Sequence, residues 1–245
     1  MFLDAAAVIA GVTIAKAQAA AFESDSQCTK RDAVMKIRAV ISLPDSQMVS
    51  EARDLAQNSS ELYLFNHVMR SWIFGALLAE KDGSKPDPEL LAVSALLHDL
   101  GLTDTYMTND NRFEVDGANA ARSFLQTYGL SPIDVQLVWD AISLHSTRSI
   151  ALHKGPVVSF CHSGVQVDVS GNRYDAIEPS LMEQILQAYP RLSFKENLTN
   201  CLCGIVRRKP TTTFDNFMHD FGERFVSGYQ AVSSVDRLND APFES

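Results

Sequence analysis

Three short passages of the chain place metal-binding side chains among apolar neighbours: Asn66-His67, then Leu96-Leu97-His98-Asp99-Leu100-Gly101, then Gly164-Val165-Gln166-Val167-Asp168. An aspartate flanked by Leu97 and Leu100 is costly to bury unless a cation or hydrogen-bond donors compensate its charge. The adjacent histidine points to a metal, because imidazole and carboxylate together suit Zn2+, Fe or Mn2+. Singly, each member is weak evidence. A histidine in an apolar helix is more often a hydrogen-bonded core residue, and a His-Asp pair arises by chance. The combination of His67, His98, Asp99 and Asp168, each on a predicted helix, is far more specific.

Those helices follow from the hydrophobic pattern. Over residues 61–80, Leu62, Phe65, Met69, Trp72, Ile73, Ala76 and Leu77 recur at spacings of three and four, the period of a buried helical face, with Ser59 and Ser60 as caps. Asp87 as N-cap and Pro88 at the first helical position start a helix that Gly101 stops, which puts His98 and Asp99 in its last turn. Asp116-Gly117 opens a stretch that Gly129 closes. Ser131 and Asp134 form a capping box for a helix towards His145, and Pro156 starts one reaching Val169. Ser193 with Glu196 caps a helix to about Arg208, and a last segment, 214–229, carries Phe217, Phe221 and Phe225 on one stripe. No period-2 strand pattern, repeat or Pro/Gly-rich linker interrupts this series. The expected fold is all-α, a compact helical bundle in one domain.

Composition narrows the partners. The 245 residues are 46% hydrophobic and 21% charged, within the range of one large globular domain. A net charge of -9 repels a phosphate backbone, so nucleic acid is excluded as a partner. The apolar run Ala5 to Ala15 is closed by Lys16 and falls short of the roughly 18–20 residues of a spanning helix, so no membrane association is expected. Residues 1–34 read as an N-terminal extension, or as a secretory signal with Ala17-Gln18-Ala19 at its cleavage site, and Asp4 argues against the latter. A cytoplasmic location is preferred, with secretion if residues 1–19 are a signal. The four cysteines, Cys28, Cys161, Cys201 and Cys203, lack CxxC spacing and are read as buried thiols.

The spacing of His67, His98-Asp99 and Asp168 resembles the HD-domain metalloprotein superfamily, whose helical folds carry a metal on a His, a His-Asp pair and a distant Asp. The likeness spans residues 55–171 within a single domain of 35–245. Within the superfamily, Tyr63-Leu64-Phe65-Asn66-His67, Asp87-Pro88-Glu89-Leu90-Leu91, Leu97-His98-Asp99-Leu100-Gly101-Leu102-Thr103 and Arg112-Phe113-Glu114-Val115-Asp116-Gly117-Ala118 resemble the cyanamide hydratase type. The resemblance implies that one divalent ion, preferably Zn2+ over Fe or Mn2+, is held by His67, His98, Asp99 and Asp168. Asp175 competes for the last role but follows the break at Ser170-Gly171-Asn172, whereas Asp168 falls inside a helix.

Phosphate-cleaving members of the superfamily often carry Lys three residues after the Asp of the pair, and here that position is Leu102. Phosphoryl transfer needs positive groups around the phosphoryl oxygens, so an apolar side chain there implies a neutral small-molecule substrate. A metal with one open position activates water for addition to a nitrile-like carbon, which for cyanamide gives urea, a hydro-lyase reaction. His145 and Asp116, near helix ends, are the candidates for handling protons. Against these roles, Asp116 can be only a helix N-cap, and His145 a C-terminal cap or a ligand to a second metal. A phosphohydrolase and a non-catalytic, metal-stabilised binding module are the alternatives, and a homo-oligomer is left open. Arg207-Arg208-Lys209 reads as a solvated cap, the phenylalanine stripe as core, His153 as a loop residue, and His162 and His219 as structural.

Overall fold

A computed structural model describes residues 44–243, so the expectations for residues 1–34, for Cys28 and for compartment fall outside it. Among the described residues there are helices and no strands, in the order α1 Gln47–Ser59, α2 Leu62–Lys81, α3 Pro88–Leu97, a 3-10 turn Leu100–Leu102, α4 Phe113–Leu125, α5 Pro132–Leu144, α6 Arg148–Ala151, α7 Pro156–Ser170, α8 Pro179–Ala188, α9 Phe194–Arg208, α10 Met218–Phe225 and α11 Ser234–Asn239. No helix among them is long and apolar enough to cross a membrane. The all-α expectation therefore holds.

Helix α2 is the axis of the molecule, buried continuously from Tyr63 to Gly75 rather than along one stripe. It runs antiparallel to α7, and small residues let the two backbones touch. A Cβ added at Gly164 would lie 2.0 Å from the Ser71 carbonyl oxygen, and one at Gly75 would lie 2.6 Å from that of Phe160. The same device recurs at the end of α3. A Cβ on Gly101 would lie 1.9 Å from the Phe113 carbonyl oxygen, and one on Gly117 would lie 3.0 Å from that of His98. These approaches fix α2 against α7 and the His98-Asp99 turn against α4, with Leu97, Leu100, Ile142 and Val158 filling the space between.

Several starts and stops follow the sequence chemistry. Asp87 accepts hydrogen bonds from the Glu89 and Leu90 amides at 3.0 and 2.9 Å, with Pro88 opening α3. Ser131 Oγ accepts from the Asp134 amide at 3.2 Å. Others differ. Helix α2 starts from Glu61 without a side-chain cap, and Ser60 instead ends α1. Helix α3 stops at Leu97, so His98 and Asp99 form the break before the 3-10 turn. Ser193 precedes α9 in the left-handed region, at φ 56°, and caps nothing with its side chain. Helices α1 and α8 are additions to the predicted set, and the 214–229 segment is helical only over Met218–Phe225.

The region after α8 folds back over the end of α2. A second apolar cluster joins Tyr63, Leu102 and Phe113 to Phe194, Leu202, Val206 and Met218. Lys209 locks this layer in place: the expectation of a solvated basic cap holds for Arg207 and Arg208, exposed in the last turn of α9, and fails for Lys209. Its side chain is buried, donating from Nζ to Asp116 Oδ2 at 2.8 Å and to the carbonyls of Thr108 and Asn111 at 3.0 and 2.8 Å. Burial alone would raise the Asp116 carboxyl, but the Lys209 ammonium and the Thr108 donors outweigh it and hold the group below the ordinary carboxylate range.

Lys209→Met should therefore lower unfolding stability by about 2–3 kcal/mol, since Asp116 keeps its other donors but loses its countercharge. A carboxyl with a depressed folded pKa contributes stability that is present above its unfolded pKa and lost as pH falls towards the folded value. The gap between wild type and Lys209→Met should thus narrow below about pH 4 in denaturant titrations. A gap unchanged with pH would mean that Lys209 acts by packing alone.

Candidate metal centre

Helix α2 delivers His67 from a fully buried turn, and the break after α3 delivers His98 and Asp99 together. His98 Nδ1 donates to the Ala95 carbonyl oxygen at 2.7 Å, and His67 Nδ1 donates to Asp168 Oδ2 at 2.7 Å. A carbonyl or carboxylate can only accept, so each imidazole carries a proton on Nδ1, and in its neutral form presents a bare Nε2 lone pair. Those two Nε2 atoms stand 3.2 Å apart, and Asp99 Oδ2 stands 3.3 Å from the first-named residue's Nε2 and 3.5 Å from that of His67. The three residues form a buried group whose ligand atoms lie within 4.8 Å of one another.

Two lone pairs and a carboxylate oxygen facing each other at such distances repel unless a cation lies between them. Ligand atoms about 2.0–2.2 Å from one tetrahedral ion lie roughly 3.3 Å from each other. The triangle formed by His67, His98 and Asp99 thus has the dimensions that a first-row divalent ion requires. Burial would raise the Asp99 carboxyl, whereas positive charge on the facing imidazoles, that of His98 foremost, would hold it well below the carboxylate range, and a cation between the three residues would act in the same direction.

Asp168, the expected fourth ligand, takes a different position in this geometry. Its carboxylate lies on the far edge of the His67 ring, where Arg70 grips it from Nε to Oδ1 at 2.7 Å and from Nη2 to Oδ2 at 2.8 Å. Arg191 Nη1 adds a contact to Oδ1 at 2.8 Å. With two arginines and His67 as its partners, Asp168 sits behind the His67 ring, the position from which carboxylates orient metal-binding histidines. Asp175 lies in the Tyr174–Ala176 turn, away from these residues.

His145 does face the centre. It ends α5, donates from Nδ1 to the Ile142 carbonyl oxygen at 2.6 Å, and places Nε2 3.7 Å from Asp99 Oδ1. Burial, with His98 adding to it, pushes the imidazole down to about 4, so it is a neutral base at ordinary pH. Asp116, the other candidate for proton handling, does not line the cavity. It sits within α4, which begins at Phe113, so it is not the N-cap either. Its four acceptor contacts, from the Thr108 amide and hydroxyl, Asn111 and Lys209, hold the loop before α4.

Sequence reasoning missed Arg70, Arg191 and Phe194. The Phe194 ring stacks on His67 with centroids 4.8 Å apart, and Arg191 lies 4.8 Å above the same ring. Arg70 had a signal, lying three residues after His67 on the same helical face. His162 supports His145 from behind, donating from Nδ1 to its carbonyl oxygen at 2.6 Å, while its buried Nε2 has no hydrogen-bond partner. Cys161, Cys201 and Cys203 are free thiols, Cys201 only partly buried.

His67, His98 and Asp99 open onto a cavity of about 260 Å³. His145, Ser146 and Gln166 supply polar edges. Leu102, Phe113, Leu202, Phe217 and Phe221 are among its apolar walls, and no lysine or arginine lines it. Phe217 and Phe221, expected as core, are therefore wall residues at an open mouth. Ser146 Oγ donates to the fully buried Glu114 at 2.6 Å, and Arg112 pairs with the same carboxylate at 2.6 Å.

An all-α scaffold presenting two buried imidazoles and a carboxylate to a closed-backed cavity defines a helical metal-site protein. A family model for the HD domain matches residues 64–189, and the chain belongs to the HD-domain family, whose members are usually metal-dependent hydrolases. Among curated proteins none gives a significant match.

Proposed function

We propose that the protein is a metal-dependent enzyme that adds water to a small uncharged substrate, with cyanamide hydration to urea as the reference reaction and Zn2+ as the preferred ion. The observation that carries this reading is the chemistry of the cavity wall, which sets the metal ligands beside Leu102 and phenylalanine side chains and carries no lysine or arginine. A transferring phosphoryl group needs cations around its oxygens, and this wall offers none.

The metal, when bound, supplies a Lewis acid and a water of lowered pKa. The chain's own residues do the rest. His67, His98 and Asp99 would hold the ion, while Asp168 and the Ala95 carbonyl keep the two imidazole rings from rotating. His145, neutral and directed at Asp99, is placed to take a proton from the attacking water and to return one to the nitrogen that gains charge. Ser146, tied to Glu114, is positioned to orient the substrate's polar end. The apolar walls limit bulk water around the reacting groups.

Phosphohydrolase activity remains the second reading, because Arg112 and Arg148 line an adjoining groove that shares Ser146 and Phe217 with the cavity. The deciding assay offers zinc-loaded protein cyanamide and bis-p-nitrophenyl phosphate in parallel. Urea released by wild type and not by His98→Ala supports hydration at this site. Nitrophenolate released with the same dependence favours the phosphohydrolase, and stoichiometric metal with no turnover of either or of other small nitriles and amides favours a binding module.

A further inference from the structure

The cavity is much larger than the reference substrate. Cyanamide has three heavy atoms and about twice the bulk of a water molecule, whose share of liquid volume is about 30 Å³. Most of a 260 Å³ cavity would then be left to solvent. The wall farthest along the chain from the ligands is ill suited to hold solvent, since an ordered water needs two to four polar partners and Leu198, Leu202, Phe217 and Phe221 offer none. Phe217 meets Phe113 edge to face with centroids 6.2 Å apart and meets Phe221 likewise at 6.1 Å, yet it remains 37% exposed. An exposed aromatic ring beside a partly buried one, at the mouth of an apolar cavity, is a surface arranged to be covered by a ligand.

We propose that the substrate carries an uncharged, apolar tail of roughly phenyl or hexyl size beside its reacting group, and that Leu202, Phe217 and Phe221 hold that tail. This deepens the metal-dependent reading above and rests on it. The residues that make the tail wall lie on α9, on α10 and just before α10, outside the residues 64–189 that the family model matches. Leu198, Leu202, Phe217 and Phe221 offer a countercharge of neither sign, so a charged tail would be buried unpaired and the tail is uncharged. Head and tail divide the cavity accordingly, the head at His67, His98, Asp99 and His145, the tail beneath α9 and α10.

The test is calorimetric titration of the zinc-loaded full chain with three hydroxamates that share one metal-binding head: acetohydroxamate, benzohydroxamate and hexanohydroxamate. Burying a phenyl or pentyl tail should tighten binding at least about tenfold over the methyl compound. In Phe217→Ala, a substitution at a half-exposed position that circular dichroism can show to be folded, the ratio between methyl and phenyl compounds should shrink to below about threefold. Equal affinity for all three in wild type overturns the inference and leaves the metal reading standing. A tail increment that survives Phe217→Ala puts the tail elsewhere and also overturns it. Failure of every hydroxamate to bind zinc-loaded protein overturns the metal reading together with this one.

Discussion

Replacing His98 by Ala is expected to leave a folded protein that no longer retains stoichiometric metal. The side chain is fully buried, and its Nδ1 contact to the Ala95 carbonyl serves only to aim Nε2 at the other ligands. Its loss leaves His67 and Asp99 alone in the cluster. Removing even an outer partner of a metal ligand commonly costs about 10–100-fold in affinity, so removing a ligand should cost more than about 100-fold. Metal content after stripping with chelator and reloading, measured beside circular dichroism, checks it. Asp168→Asn provides the graded comparison. As an outer partner of His67 it should weaken metal binding less than His98→Ala does, whereas equal losses would restore Asp168 to the ligand set. Retention of stoichiometric metal in His98→Ala would remove the basis for the centre.

A second large effect is expected far from any polar chemistry. Gly164→Ala adds one methyl group at a point where its Cβ would lie 2.0 Å from the Ser71 carbonyl oxygen, on the helix that bears His67 one turn earlier. Neither partner can give way as a flexible side chain would, because both are backbone. Ordinary overpacking costs about 1–3 kcal/mol, and separating two helices at their closest point should exceed that, at about 4 kcal/mol. For a chain of this length the melting temperature should fall by about 10 °C. Since Asp168 lies one turn beyond Gly164, metal affinity should fall with it, and calorimetry of the loaded and stripped forms separates the two losses. A variant with unaltered melting would mean that α2 and α7 can part without penalty.

What could be read from the chain alone divides along physical lines. A buried aspartate beside a histidine leaves a mark in one dimension, because its apolar neighbours Leu97 and Leu100 are adjacent in sequence. The same holds for Asp87-Pro88 and Ser131-Pro132, whose capping chemistry spans three residues. Lys209 gave no such mark. Its carboxylate partner Asp116 lies 93 residues away, so a buried ion pair looked like the end of a surface helix. Phe217 and Phe221 have helical spacing whichever way they face, and only the path of the chain after Ala188 decides that they face a cavity. Asp168 is an intermediate case. Its placement inside a helix near His67 was legible, but the two arginines that turn it to the far edge of the ring come from α2 and from the loop before α9.

The glycine contacts between α2 and α7 and between the His98-Asp99 turn and α4 act as mechanical stops. Where side chains set the separation of two helices, each change of volume in the core moves them, and a site they carry drifts with every such change. Where main chain rests on main chain, the separation has a floor that side-chain volume does not alter. Substitutions such as Ile142→Val or Val158→Ala, in the apolar filling between those stops, can therefore cost stability while leaving the spacing of His67, His98 and Asp99 untouched. Interior sequence and ligand geometry are uncoupled, and the surrounding core is free to diverge around a centre that stays in register.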